Sequence, residues 1–234
     1  MKKRILTVLA ALMLTSTAYA GSLGMGLQMS IASIDASGSE TEVGTGTKTL
    51  SDSENTKGSA SHDGAIIAAI YAEYNTDFLE RGDGNSLTIG ASLVPMSADV
   101  SENDKSRTDS STGADVASEA DTGVRKANAE LEDLRVYYVE IPVTGGFYIR
   151  GGMAQVDVIT NESLGTGSTY ANTDLDGTVL GVGYNHTLDN GVFVRAEGTY
   201  QSFDGTTLAG SGDTSVTVDE INGASAKFSI GKSF

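Results

Sequence analysis

The 234-residue sequence contains no cysteine, no tryptophan and few basic residues. Without cysteine the chain forms no disulfide and offers no thiolate metal site. Its 15 basic residues stand against 31 acidic ones, so the formal charge is −16. Nucleic acids and other polyanions need a basic surface, and the composition therefore argues against them as partners. Aromatic residues are also few, with nine tyrosines and six phenylalanines.

Long hydrophobic runs are missing after the first twenty residues. Residues 1–20 have a Lys-Lys-Arg start, an apolar stretch and an Ala-Tyr-Ala ending, which are the parts of a secretory signal peptide. No later stretch approaches the roughly 18 consecutive apolar residues of a transmembrane helix. The predicted mature chain, 21–234, has 12 basic and 31 acidic residues and a charge of −19. In a membrane it must form a closed sheet, because hydrocarbon does not tolerate open strand edges.

The end of the chain, 224–234, alternates between apolar side chains and small or polar ones. Phe228, Ile230 and Phe234 fall on one face of a strand, and Lys227 falls on the other. Successive strand side chains point to opposite faces. The pattern therefore predicts a strand with one face toward lipid and the other toward a polar lumen.

The same alternation recurs along the chain and predicts eight strands. Each is about ten residues or longer, which is enough for a tilted strand to cross the hydrocarbon core. Pro95 falls near the end of the third strand, where a missing backbone donor matters least. The predicted strands are about 24–34, 64–75, 86–97, 130–143, 147–158, 177–187, 191–203 and 215–234.

The connections between the predicted strands alternate in length. One end carries shorter links, among them a tight Thr-Gly-Gly link and an Asn-Gly hairpin signal. The other end carries long polar runs, of which 35–63 and 98–129 have a composition typical of mobile chain. This alternation predicts short periplasmic turns and long external loops.

Together these features resemble the small eight-stranded outer-membrane barrels, namely the OmpA membrane domain, the OmpX/Ail proteins and the opacity-type proteins. The resemblance covers nearly all of 21–234 and rests on the signal peptide, the strands, the loop lengths, the tight link in YYVEIPVTGGFYIRGG and the terminal Phe234. The sequence departs from the family at Lys232, where a bulky apolar residue is usual. None of these features identifies a function within the group.

The resemblance implies an all-β fold, an eight-stranded antiparallel up-and-down transmembrane β-barrel with short periplasmic turns and long external loops. It implies two segments, a signal peptide (1–20) and one barrel domain (21–234), and a location in the cell outer membrane. It also implies outer-membrane lipid and the barrel-assembly machinery as partners. In this family the assembly signal lies in the C-terminal strand, here Phe228, Ile230 and Phe234.

Six charged residues are predicted to point into the barrel, three acidic and three basic. The interior of an eight-stranded barrel is just filled by side chains, and buried charges must pair. The pattern therefore favours a structural network of ion pairs, with a narrow ion path as the alternative. The six are Glu73, Glu140, Arg150, Arg195, Glu197 and Lys227.

Catalytic and metal-binding motifs are weak. His62, beside Asp63, falls in a predicted external loop, and His186 near a predicted periplasmic turn, so the two cannot share one site. A stretch from Asn172 to Gly177 matches the first half of a calcium loop, but position twelve is a glycine. We expect no catalytic residue, metal or cofactor.

The expected role is structural and adhesin-like, with an external ligand of unknown identity at the acidic loops. The alternatives are a small passive channel, an outer-leaflet lipid A-modifying enzyme that uses His62, and a secreted soluble β-sandwich.

Overall fold

The computed structural model describes residues 21–42, 55–79, 85–100, 105–110, 122–163, 169–210 and 214–234. These residues form the strands β1 (Gly21–Glu42), β2 (Asn55–Thr76), β3 (Thr88–Leu93), β4 (Ala98–Asp99), β5 (Lys105–Ser110), β6 (Thr122–Thr144), β7 (Phe147–Ser163), β8 (Thr173–Thr187), β9 (Val192–Ala209) and β10 (Thr214–Ser233). Because β3, β4 and β5 all pair with β6, they are successive pieces of one barrel strand. Within the described ranges, no helix is long and apolar enough to cross a bilayer.

The first and last strands pair with each other, which closes the sheet. β1 pairs with β10 from Gly24↔Ser233 to Glu42↔Thr214. Neighbours are antiparallel in the order β3-β2-β1-β10-β9-β8-β7-β6, and β3 pairs in turn with β6. The predicted antiparallel barrel of eight strands is confirmed, and the closed ring removes the strand edges that hydrocarbon does not tolerate.

The outer surface of the barrel carries an apolar band. On β1, Met25, Leu27 and Ile31 are 49%, 61% and 62% exposed. Gln28 and Ser30, which alternate with them, are buried. A closed sheet that exposes such a band is stable with acyl chains around it, so the chain is an integral outer-membrane barrel. The band continues through Ile66, Ile70, Ile89, Val139, Ile141, Ile149, Met153, Leu180, Val182, Phe228 and Ile230.

The strands are longer than predicted on the external side. β1 runs to Glu42 and β2 begins at Asn55, so much of the polar run 35–63 is strand. Likewise β9 runs to Ala209 and β10 begins at Thr214. The prediction of a long polar loop was wrong in these places, because the apolar alternation stops at the membrane boundary while the hydrogen-bonded ladder continues beyond it.

The tight turns lie at the periplasmic end, as predicted. Gly145 and Gly146 join β6 to β7 with φ angles of 56° and 88°, a left-handed conformation that glycine adopts without strain. Between β8 and β9, the Leu188 N–H donates to the Val192 carbonyl at 2.7 Å. The two hairpins fix the register of strands that carry four of the six inward charges, namely Glu140, Arg150, Arg195 and Glu197.

Candidate functional site: the barrel interior

The structure places all six predicted lumen charges inside the barrel, where they form one chain of ion pairs that we call the charge network. Arg195 binds Glu73 with two hydrogen bonds, Nη1 to Oε2 at 2.9 Å and Nη2 to Oε1 at 2.8 Å. Its Nη1 also lies 3.2 Å from Glu140 Oε1. The planar guanidinium suits such two-point contacts with a carboxylate. The members are Glu73, Glu140, Arg150, Arg195, Glu197 and Lys227, all at most 8% exposed.

Arg150 continues the charge network from Glu140 to Glu197. It donates to Glu140 through both Nε and Nη2, and its Nε lies 2.9 Å from Glu197 Oε2. Lys227 ends the chain, with Nζ 3.7 Å from Glu197 Oε1. Acidic and basic groups alternate along this chain and cancel in number, so no single sign of charge remains to attract ions.

Four aromatic rings pack against the charge network, and sequence analysis missed them. The Tyr138 hydroxyl donates to Glu73 Oε2 at 3.2 Å, and the Tyr148 hydroxyl donates to Glu197 Oε2 at 2.8 Å. The Arg150 guanidinium lies 3.9 Å from the centroid of the Tyr138 ring, a distance that favours a cation–π contact. A signal was present, since each ring precedes an inward charge by two residues on its own strand. The four rings are Tyr71, Tyr138, Tyr148 and Phe193.

Two glycines make room for these rings. A Cβ at Gly90 would collide with the Tyr138 ring, and a Cβ at Gly183 would collide with the Tyr148 ring. Each tyrosine therefore lies across the backbone of a neighbouring strand, Tyr138 over β3 and Tyr148 over β8. The rings fill interior space that smaller side chains would leave empty.

The external half of the interior is apolar, whereas the sequence predicted polar inner faces throughout. On β1, Ile34 is buried and Asp35 is exposed; on β8, Leu175 is buried and Asp176 is exposed. Beyond the apolar band the outer face meets water, so the inner face can bury aliphatic groups as in a soluble sheet. The described members of this cluster are Ile34, Ala65, Val136, Tyr138, Ala154, Val156, Val158, Leu175, Val179, Phe203 and Ile221.

A cavity of about 70 Å³ lies where the apolar cluster meets the polar interior. Its walls include Ile34, Val136 and Phe203, and the bottom carries polar groups from Ser30 and Lys227. One water needs about 10–15 Å³ by this measure, so the cavity has room for about five water-sized groups. A separate polar cavity of about 350 Å³ opens at the periplasmic end and is lined by Glu73, Glu140 and Arg195 of the charge network.

The barrel wall is interrupted beside the smaller cavity. The last paired residues of β2 and β3 are Ile70 and Leu93. Continued pairing would place Ala68 opposite Pro95, which has no N–H to donate. Instead the Val94 N–H donates to the Leu134 carbonyl on β6 at 2.9 Å. The segment after Leu93 therefore remains hydrogen-bonded to β6 and is not paired with β2. The gap between 64–69 of β2 and 94–97 is called the seam below.

Three contacts define the limits of the seam. The Ile70↔Leu93 pair closes its lower end. The Ala68 N–H crosses it to Met96 Sδ at 3.4 Å, and a thioether sulfur is a weak acceptor. Above, the His62 ring bonds the Asp99 carbonyl through Nδ1 at 2.9 Å.

A glycine bulge and two exposed side chains complete the opening. Gly64, with φ of 79°, is the extra residue of a β-bulge between β1 and β2, which bends the strand. Ile66 and Met96 line the cavity although they are 70% and 46% exposed. The cavity therefore reaches the lipid-facing surface at the seam.

The two histidines lie at opposite ends of the barrel. His62 belongs to β2, so its assignment to a loop was wrong, because the ladder extends past the membrane band. The Asp63 carboxylate accepts from Ser33 Oγ at 2.6 Å and is engaged on β1, while the His62 ring is engaged across the seam. His186 is exposed near the periplasmic end of β8.

The calcium-like stretch is also engaged in strand contacts. Asp176 accepts from Gln155 Nε2 at 2.7 Å, and the Asn172 amide oxygen accepts from the Thr160 N–H at 3.2 Å. Among the described residues, no group of three or more His, Asp or Glu side chains could hold a metal ion.

The predicted C-terminal signal residues face lipid. Phe228, Ile230 and Phe234 are 58%, 49% and 71% exposed. The Lys232 ammonium lies 5.6 Å from the centroid of the Phe234 ring, so its charge is held at the periplasmic rim. The predicted signal peptide, 1–20, lies outside the described residues.

Comparison with known proteins finds similarity only to solved structures; no family model and no curated protein matches the chain. The outer-membrane protein AlkL is 13% identical, with 94% of this chain and 93% of AlkL covered and a TM-score of 0.38. OprG from Pseudomonas aeruginosa is 15% identical, with coverage of 92% and 97% and a TM-score of 0.38. The protease OmpT from Escherichia coli is 9% identical, with coverage of 94% and 100% and a TM-score of 0.47. Such similarities concern the fold alone.

Proposed function

We propose that this outer-membrane barrel binds small apolar molecules in the external half of its interior and exchanges them with the outer leaflet. One observation carries the proposal: a cavity with apolar walls inside the barrel reaches the lipid-facing surface at the seam. An apolar molecule that leaves water for such a site gains the free energy of burying its surface. Through the seam, the molecule can move between cavity and acyl chains without meeting water.

The charge network favours sideways exchange over passage to the periplasm. The linings of the two cavities share no residue, and Glu140, Arg150 and Arg195 lie buried between them. An apolar molecule that moved through this layer would have to separate buried ion pairs, which is costly. We therefore expect no measurable single-channel conductance in planar bilayers, and a steady conductance would favour the passive channel instead.

The proposal can be tested by filling the cavity. Ala32 is 7% exposed and lines the cavity wall, so Ala32→Phe places a ring where the ligand would lie. The probe is a small apolar fluorophore such as indole, which is close to the size of the cavity and its opening; it is measured with the protein in lipid nanodiscs and with empty nanodiscs as the blank. The native protein should add saturable binding, and Ala32→Phe should remove it.

A matched control is available on the lipid face. Ala226 is exposed on β10 and pairs with Ile31 of β1, so Ala226→Phe adds the same ring outside the cavity. Binding should persist in this variant. Equal binding by the native protein and Ala32→Phe would contradict the proposal.

A surface-interaction role is the second candidate, and the length of the external strands favours it. β9 and β10 pair from Phe203↔Ile221 up to Ala209↔Ser215, beyond the apolar band, with exposed acids at Asp204 and Glu220. Such a ribbon can present carboxylates to a basic partner. Bacteria that carry the protein should adhere to a polylysine surface more strongly than bacteria without it. Neutralising these acids should reduce that adhesion.

Neither candidate includes a catalytic step. The His62 ring and the Asp63 carboxylate are engaged with different partners, which argues against their acting as an acid–base pair. Unchanged lipid A, analysed by mass spectrometry after expression, is the expected result. A modified lipid A that disappears in a His62→Ala variant would support the enzyme alternative.

A further inference from the structure

We infer that the preferred ligand of the cavity is a short, single-chain amphiphile with a carboxylate head, and that Lys227 binds this head. The inference rests on the proposed function, since it concerns the same cavity. The apolar walls fit a hydrocarbon tail, and Lys227 adds a cation at the bottom.

Lys227 is the most weakly engaged cation of the charge network. Arg195 has two hydrogen bonds to Glu73, and Arg150 contacts both Glu140 and Glu197. Lys227 has one ion pair among the described residues, in which Nζ lies 3.7 Å from Glu197 Oε1. This distance is longer than the roughly 2.7–2.9 Å of a charge-assisted hydrogen bond.

Glu197 has two partners besides Lys227. Its other oxygen, Oε2, accepts from the Tyr148 hydroxyl at 2.8 Å and lies 2.9 Å from Arg150 Nε. The ammonium of Lys227 can therefore turn toward a second carboxylate without leaving Glu197 unpaired. An ammonium has three donors, so it can contact both carboxylates at once.

Lys227, the proposed binding site of the carboxylate head, is level with the lower end of the seam. Lys227 pairs with Ser30 on β1, and Ser30 pairs with Ile67 on β2, beside the seam. A ligand whose carboxylate binds Lys227 thus has its hydrocarbon tail near the apolar walls and the opening. Because the cavity holds only about five water-sized groups, a tail of eight carbons or so fills it and reaches toward the bilayer.

The test compares two ligands with the same octanoyl chain, one with a carboxylate head and one with an uncharged ester head. Octanoate and methyl octanoate are titrated into the native protein in lipid nanodiscs, with empty nanodiscs as the blank. Because only the carboxylate forms a charge-assisted hydrogen bond with Lys227, octanoate should bind roughly tenfold or more tightly. Lys227→Met should remove the preference while methyl octanoate still binds, and Lys227→Arg should keep it.

A control variant carries the same substitution on the lipid face of the same strand. Lys232 is exposed, so Lys232→Met should leave both affinities unchanged. Equal binding of the two ligands to the native protein overturns the inference without any variant, and so does a preference that survives in Lys227→Met. Failure of both ligands to bind would contradict the proposed function and the inference together, whereas equal binding contradicts the inference alone.

Discussion

In the periplasmic half of the barrel, charged side chains and aromatic rings pack beside a polar cavity, whereas in the external half aliphatic side chains surround a smaller, apolar one. The two halves belong to the same eight strands. Where lipid covers the outside, the inner face carries the buried charges and the rings beside them; where water covers the outside, the inner face is largely aliphatic. The solvent outside the wall therefore decides which face of a strand can be polar.

The difference also separates two kinds of packing. In the periplasmic half, the carboxylates of Glu73, Glu140 and Glu197 are each paired with an arginine. Directional hydrogen bonds therefore fix the positions of these side chains. In the external half, contacts are non-directional and leave a cavity that reaches lipid at the seam. Substitutions in the two halves should therefore differ in their effects on the free energy of unfolding and on ligand exchange.

The largest expected effect comes from breaking the charge network. Glu73 is 1% exposed and binds Arg195 at two points. Glu73→Ala leaves a buried guanidinium with fewer partners, so we expect the free energy of unfolding to fall by about 3–5 kcal/mol. Urea titration in phospholipid vesicles measures this change.

A control and a compensating variant sharpen this prediction. Glu220→Ala removes an exposed carboxylate that accepts from Ser202, and it should change stability much less. Replacing both Glu73 and Arg195 by leucine should recover part of the loss, because less buried charge remains unpaired. A loss for Glu73→Ala no larger than that of Glu220→Ala would contradict a stabilising charge network.

A smaller effect is expected from the apolar half. Leu175→Ala on β8 removes a side chain that is 4% exposed in the interior, so it loses transfer free energy and leaves a cavity, at a cost of about 2–4 kcal/mol. Leu180, on the same strand, is 65% exposed to lipid. Leu180→Ala should cost less, because acyl chains fill the space. If urea titration gives equal losses of unfolding free energy for the two variants, the apolar cluster in the external half of the barrel is not close-packed around Leu175.

The barrel itself was predictable because its pattern is local. Alternation places Phe228 and Ile230 outward and Lys227 inward, whatever the partner strand is, and the structure agrees. The strand ends were not predictable in this way, since the polar residues after Ile34 carry no lipid signal although their backbones still pair with β10.

The candidate site was only partly predictable. The inward charges follow from strand parity, but the cavity arises where segments distant in sequence meet, such as Ile34, Val156 and Phe203. Pro95 was placed where a missing donor matters least, yet it lies where the wall opens. β3 ends at Leu93, so Pro95 does fall by a strand end as predicted; that the wall also opens at this point was not predicted.

The next prediction concerns this proline. Pro95→Ala restores an N–H opposite Ala68, so one ladder hydrogen bond can form across the seam. A hydrogen bond contributes about 0.5–1.5 kcal/mol, and we expect exchange of an apolar fluorophore between vesicle lipid and cavity to slow by about two- to tenfold. Stopped-flow fluorescence measures the rate.

The second proline, Pro142, pairs with Tyr148 far from the seam, so Pro142→Ala should leave the rate unchanged. An unchanged rate in Pro95→Ala would argue against the seam as the route.

The smallest effect is expected at the external rim, where a charge pairs outside the barrel. Arg135 lies 2.9 Å from Asp133 and 3.6 Å from Asp157, and its side chain is 28% exposed. Solvent screens such a pair, so Arg135→Met should cost about 1 kcal/mol or less. The same substitution at Arg195, which is 4% exposed, should cost several times more, because it leaves Glu73 buried without its guanidinium partner. Urea titration of the two variants under identical conditions compares them directly. If the two variants lose similar amounts of unfolding free energy, a buried ion pair contributes no more than one at the rim. The contrast between rim and interior would then be wrong.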